Sequence, residues 1–157
     1  MEKVEKAVQY FTEGFNCSQS VFTAIAEGSG IDKNLALKIA SGFGGGIART
    51  QKTCGAVTGA VMAISYLNGF TQPDASEQKE RVYELIQTFI NRFTLLHKTI
   101  NCNELLGYSI QTEEGRKLIK ELGLTETVCS RCVKDAVLIV EGLQKEYLSV
   151  AEINIPN

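Results

Sequence analysis

Residues 54–67 read CGAVTGAVMAISYL, the most apolar run in the chain. At 14 residues it falls short of the roughly 20 needed to cross a bilayer, so it predicts a buried helix. Gly55, Ala56, Gly59, Ala60 and Ala63 are small and let neighbouring helices approach its backbone. The helix, Cys54 to about Asn68, is therefore expected at the centre of the fold.

The flanking sequence is helical in the same sense. Before the run, Val4, Val8, Phe11 and Phe15 recur at helical spacing and form one apolar stripe. A second helix is expected from Cys17 to about Glu27, ended by Gly-Ser-Gly at 28–30. Asp32 caps a third, and FGGGIARTQK leads back to Cys54. The glycines at 44–46 allow left-handed backbone and close approach to another group, at an entropic cost that a simple turn would not require. After it, Pro73 marks a turn, and Val82, Ile86, Phe89, Phe93 and Leu96 mark a long amphipathic helix whose Phe89, Phe93 and Leu96 stripe is core. A short helix at NCNELLG, another opening at Thr112 and a last one from about Cys129 to Tyr147 complete the chain. No stretch shows sustained strand alternation. The pattern predicts an all-α fold: a compact single-domain bundle or orthogonal packing of six to eight helices over residues 1–150, with a frayed tail at 151–157.

Composition excludes several functions. The chain has 157 residues, 22% of them charged, and a formal net charge of −2, with no cluster of Lys and Arg to meet a phosphate backbone. Nucleic acid is set aside. The charged, amphipathic start MEKVEKAVQYF lacks the apolar core of a signal peptide, and no run is long enough for a membrane span. The expected location is the cytoplasm, where thiols stay reduced and five cysteines point to metal binding or redox chemistry rather than a disulfide framework.

The placement of those cysteines is specific. Cys17, Cys54 and Cys102 follow the capping residues Asn16, Thr53 and Asn101 and open helical segments; Cys129 and Cys132 stand near the start of the last one. A helix start offers unpaired N–H groups and partial positive charge, which stabilise a thiolate and suit a reactive thiol or a metal ligand. Of these, Cys54 is expected to have the most depressed pKa, with Thr53 as cap, Gly55 opening the backbone and Arg49 nearby. Taken singly, any cysteine is as readily a small buried hydrophobe. His97, the one histidine, admits a ligand or acid–base role as well as that of a side chain near a helix C-terminus. Arg49 reads as a solvated loop charge or an electrostatic partner of sulfur.

GFNCSQSV at 14–21, TCGAVTG at 53–59, NCNELLG at 101–107 and CSRCVKDA at 129–136 stand together. In order and spacing they resemble the redox-active protein family named for its cysteine pattern, C_GCAxxG_C_C, whose core motif CGAxxG reads here Cys54-Gly55-Ala56-Val57-Thr58-Gly59. The resemblance covers Ala7 to about Glu141. It implies that the family's four cysteines are Cys17, Cys54, Cys102 and Cys129, with Cys132 an addition. It implies cytoplasmic redox proteins, often encoded near transporters and similar to the cluster-binding portion of split-Soret cytochromes c. That similarity suggests an iron–sulfur cluster, most simply a two-iron one held by four thiolates.

Helix starts would supply charge and N–H donors to such a cluster, and Gly55, Gly59, Gly45, Gly46 and Arg49 would let backbone and charge approach sulfur. A c-type haem is excluded, since attachment needs CxxCH and Val133 follows Cys132. Zinc also accepts four thiolates, but intervals of 36, 47 and 26 residues are unlike paired CxxC knuckles. Three functions compete: a cluster protein for electron transfer, a thiol–disulfide enzyme or sensor, and a zinc-stabilised helical adaptor for a transport system. The sequence leaves the electron donor and acceptor and the oligomeric state open, a homodimer included.

Overall fold

The computed structural model describes residues 2–153. Among them are eight α-helices: α1 Glu2–Thr12, α2 Cys17–Ala26, α3 Lys33–Ala40, α4 Gly55–Asn68, α5 Ser76–His97, α6 Cys102–Leu106, α7 Glu113–Glu121 and α8 Ser130–Ile153. The fold is all-α, and the described residues contain no strand, only one isolated antiparallel bridge between Thr53 and Asn101. Of the expected tail, 151–153 continue α8 and 154–157 lie outside the described residues.

Helix starts follow the sequence closely because polar side chains satisfy the orphan N–H groups there. Asn16 and Gln19 form a reciprocal capping box at α2, with Asn16 Oδ1 accepting from the Gln19 N–H at 3.0 Å and Gln19 Oε1 accepting from the Asn16 N–H at 3.1 Å. Asp32 caps α3 and Thr112 caps α7. Gly107 and Gly123 take left-handed backbone just beyond α6 and α7.

The central layer is a pair rather than one helix. In α2 every residue from Ser20 to Ala26 is buried, and α2 packs on α1, α3, α4 and α8; α4 packs on α2, α5 and α8. Phe89 and Phe93 of α5 and Val133, Val137 and Val140 of α8 close the core from the other side. Fully burying each such phenylalanine is worth about 1.5–3 kcal/mol. α1 is rotated by about one residue from the expected stripe: Val4, Ala7 and Tyr10 are buried while Val8 and Phe11 flank them. Tyr10 can face inward because its hydroxyl donates to Glu27 at 2.6 Å.

Two helix starts differ from expectation. Thr53 does not cap α4; it sits in the bridge to Asn101, and Cys54 is itself the N-cap residue, without a side-chain cap. Cys129 does not open a helix, because a π turn spanning Thr125–Cys129 runs directly into α8 and the Ser130 N–H already bonds to the Thr125 carbonyl. Its backbone is thus mid-helix, not at a free N-terminus.

Candidate functional site

All five cysteines line one partly enclosed cavity of about 150 Å³. Each comes from a different local setting: the first residue of α2 (Cys17), the residue before α4 (Cys54), the first residue of α6 (Cys102), the end of the π turn (Cys129) and the first turn of α8 (Cys132). Leu105, Leu106, Ile110, Ile119 and Val128 make the rest of the wall mostly apolar. Cys54, Cys102 and Cys132 are 6%, 7% and 1% exposed, whereas Cys17 and Cys129 are partly exposed.

A short antiparallel clamp brings Cys54 and Cys102 together. The Cys54 N–H donates to the Ile100 carbonyl at 2.8 Å and the Cys102 N–H to the Lys52 carbonyl at 2.7 Å, on either side of the Thr53–Asn101 bridge. Gln51 locks the clamp to the following loop, its amide donating to the Tyr108 carbonyl at 2.9 Å and accepting from the Ile110 N–H at 2.9 Å. Asn101 caps α6 through the N–H groups of Asn103 and Glu104. Cys17 is brought to Cys54 by close contact of α2 with α4, which the glycines of the CGAxxG motif permit. A Cβ on Gly59 would stand 2.7 Å from the Ser18 carbonyl oxygen.

The glycines therefore divide by role. Gly45 and Gly55 line the thiol cavity, but Gly59 and Gly46 do not. Gly59 packs against Ser18 and Val21, and Gly46 is tight against Gln51, whose Cα a Cβ would approach to 2.6 Å. The triple glycine opens a left-handed turn that continues past it: φ is positive at Gly45, Gly46, Ile47, Ala48, Arg49 and Gln51. For residues with a Cβ such backbone costs roughly 1–2 kcal/mol each. Arg49 lines the adjoining open cleft rather than the thiol cavity.

Neighbouring thiols act on one another through hydrogen bonds and charge. Cys54 is held below the ordinary thiol range, chiefly by the hydrogen bond from the Cys132 thiol; burial opposes this, and the N–H groups of Ala56 and Val57 add to the lowering. The helix start thus acts on Cys54, while Thr53 and Arg49 are not among the causes. Cys17 and Cys102 shift the other way, contrary to the expectation from helix starts. Cys17 is raised well above the ordinary value, first by its hydrogen bond with Cys129 and then by burial and the surrounding thiols. Burial pushes Cys102 up to about 12. Cys132, hydrogen-bonded to Cys54 and buried, is raised as well. Among closely spaced thiols, burial and like charge outweigh a helix end.

His97 joins this set through Cys132. Its Nδ1 lies 3.8 Å from Cys132 Sγ and its Nε2 3.1 Å from Asp135 Oδ2, at ion-pair distance though off the line of a good N–H hydrogen bond. The ring is stacked on Phe93 at 4.4 Å. Burial lowers its pKa, against the partial opposition of Asp135. Two local signals in the sequence, His97 one turn past Phe93 and Asp135 one turn past Arg131, gave no hint that they meet, because α5 and α8 are joined only in three dimensions.

The donor chemistry fits a thiolate-held group. Several sulfurs face one mostly apolar chamber, and backbone N–H groups already point at one of them. The described residues thus form an all-α fold with a cavity walled by all five cysteines. The chain belongs to the family described as "Putative redox-active protein (C_GCAxxG_C_C)", whose model matches residues 15–143. It is similar to a protein of Archaeoglobus fulgidus, named only as an uncharacterized protein, with 32% identity over 148 residues, covering 86% of this chain and 98% of that one. No solved structure matches. No helix among the described residues is long and apolar enough to cross a membrane.

Proposed function

We propose that the chain is an electron-transfer protein whose thiol chamber holds an iron–sulfur cluster, with Cys17, Cys54, Cys102 and Cys129 as ligands. The observation that carries this reading is the partly enclosed, largely apolar cavity of about 150 Å³ walled by all five cysteines. Among the described residues, no group of three or more His, Cys, Asp or Glu is gathered closely enough to hold a metal ion, so ligation would draw the thiols inward. Thiols that ring a space favour a multi-atom cluster over a lone zinc ion. Burial of Cys54 and Cys102 also disfavours an attacking thiol, which needs access to its disulfide partner. When bound, the cluster supplies one-electron chemistry. The chain would supply the thiolates, exclude water through Leu105, Leu106 and Val128, and tune the potential through the Ala56 and Val57 N–H groups directed at Cys54.

The contacts Cys17–Cys129 and Cys54–Cys132 favour a second reading, a dithiol protein. Each pair would release two electrons and two protons to an acceptor on forming a disulfide. Iron and acid-labile sulfide analysis with an absorption spectrum, on protein purified without oxygen, separates the two. The cluster reading expects a brown protein that loses iron on alanine substitution of Cys17, Cys54, Cys102 or Cys129 and keeps it in Cys132→Ala. A colourless, iron-free protein whose thiols pair on mild oxidation would replace it with the dithiol reading.

A further inference from the structure

Beside the thiol chamber lies an open cleft of about 670 Å³, a volume typical of small-molecule sites. The two cavities share Gly45, Ile110, Ile119 and Thr125 as walls, so a molecule in the cleft would stand one residue layer from the thiols. Three cations line it, Arg49, Arg116 and Lys120, against one carboxylate, Glu126. Among the described residues none of the three is ion-paired. Arg116 is braced by donating from Nη1 to the Ile110 carbonyl at 2.9 Å. An excess of two positive charges gathered in one cleft contrasts with a chain whose net charge is −2.

Arg49 supplies an independent observation. It is held at φ 65°, in left-handed backbone that glycine or asparagine tolerates far better than arginine. The Gln111 side chain donates to its carbonyl at 3.3 Å and so helps fix the turn that carries it. Strained backbone of this kind persists where the surrounding structure over-determines it, and it clusters at ligand sites.

We propose that the cleft binds a small molecule carrying two anionic groups, carboxylates or phosphates, with Arg49, Arg116 and Lys120 as its counter-charges. Guanidinium groups pair with both kinds of oxyanion through two parallel hydrogen bonds, and Lys120 adds a point charge. Two net positive charges are neutralised by a dianion. The site does not depend on what the thiols hold, and its test is read without reference to iron.

Isothermal titration of the full chain with inorganic pyrophosphate and with succinate tests it. Saturable one-to-one binding of at least one of them, weakened by salt, is expected. The double variant Arg49→Asn, Lys120→Gln should bind about tenfold more weakly or worse, while Lys79→Gln, on the remote α5, leaves affinity unchanged. Asparagine suits the left-handed position, so the double variant should unfold no more readily than the parent chain. Arg116 is left intact because of its bond to Ile110. Preference for pyrophosphate would mark a phosphate-bearing ligand and preference for succinate a dicarboxylate, either of which supports the proposal. Absence of binding by both anions, equal binding by the double variant, or an equal loss in Lys79→Gln would overturn it.

Discussion

Gly55 lies directly against Cys17: a Cβ built on Gly55 would stand 3.0 Å from Cys17 Cβ and 3.1 Å from the Ser18 nitrogen. The glycine after Cys54 is thus what lets the first cysteine approach the second. One turn on, Gly59 repeats the close approach against the Ser18 carbonyl.

Gly59→Ala should therefore destabilise the protein although it improves helix propensity. The propensity gain is about 1 kcal/mol, whereas forcing a methyl group against fixed backbone costs about 1–3 kcal/mol. A net loss of about 1 kcal/mol is expected in chemical denaturation. An unchanged or higher midpoint would mean that α2 and α4 separate without cost.

Cys132→Ala should raise the pKa of Cys54 in the metal-free protein, because the hydrogen bond from Cys132 is the main cause of its depression. Thiolate absorbance against pH reads this directly. The lowest thiol titration of the parent chain should move up toward the ordinary value in the variant. If it stays in place, the Ala56 and Val57 N–H groups are the dominant influence.

The metal-free protein should lose stability as pH rises from about 9 to about 12. In the unfolded chain the thiols ionise near 9, whereas in the fold Cys102 waits until about 12 and Cys17 and Cys132 are also raised. A raised acid stabilises the fold below its unfolded pKa and loses that contribution as pH climbs through the folded value. Cys54, being lowered, acts in the opposite sense, one thiol against three. Denaturation midpoints across this range should fall, and Cys102→Ala should flatten the slope.

On the acid side His97 contributes a segment of the pH profile. Its folded pKa lies below 6.5, mainly through burial. As pH falls below 6.5 the unfolded chain takes up a proton that the folded one resists, so stability drops until the folded value is passed. His97→Gln should remove this segment of the pH profile while leaving the alkaline one. A profile unchanged by the substitution would place the acid sensitivity in the carboxylates.

Much of the fold was legible because helix signals are local. Asn16, Asp32, Asn101 and Thr112 cap where a capping side chain should, and the stripe through Val82, Phe89 and Phe93 marks the buried face of α5. Leu96, expected in the same core stripe, is instead 53% exposed. The misreadings arose where tertiary contacts compete with a local signal. Thr53 looks like a cap but pairs with Asn101, and Cys129 looks like a helix start but ends a π turn continuous with α8. The motif's second glycine looked like part of a cofactor cradle, yet its empty side faces the backbone of α2.

Sequence alone determined the helical class, the capped starts at Cys17 and Cys102 and the family pattern of cysteines, all properties carried by neighbouring residues. Only the tertiary structure decided that Cys132 shares the chamber and contacts Cys54, that His97 meets it across α5 and α8, and that most of these thiols are raised rather than lowered. The physical reason is range. A cap acts over one helical turn, while burial and thiol–thiol interaction depend on which distant segments fold against each other.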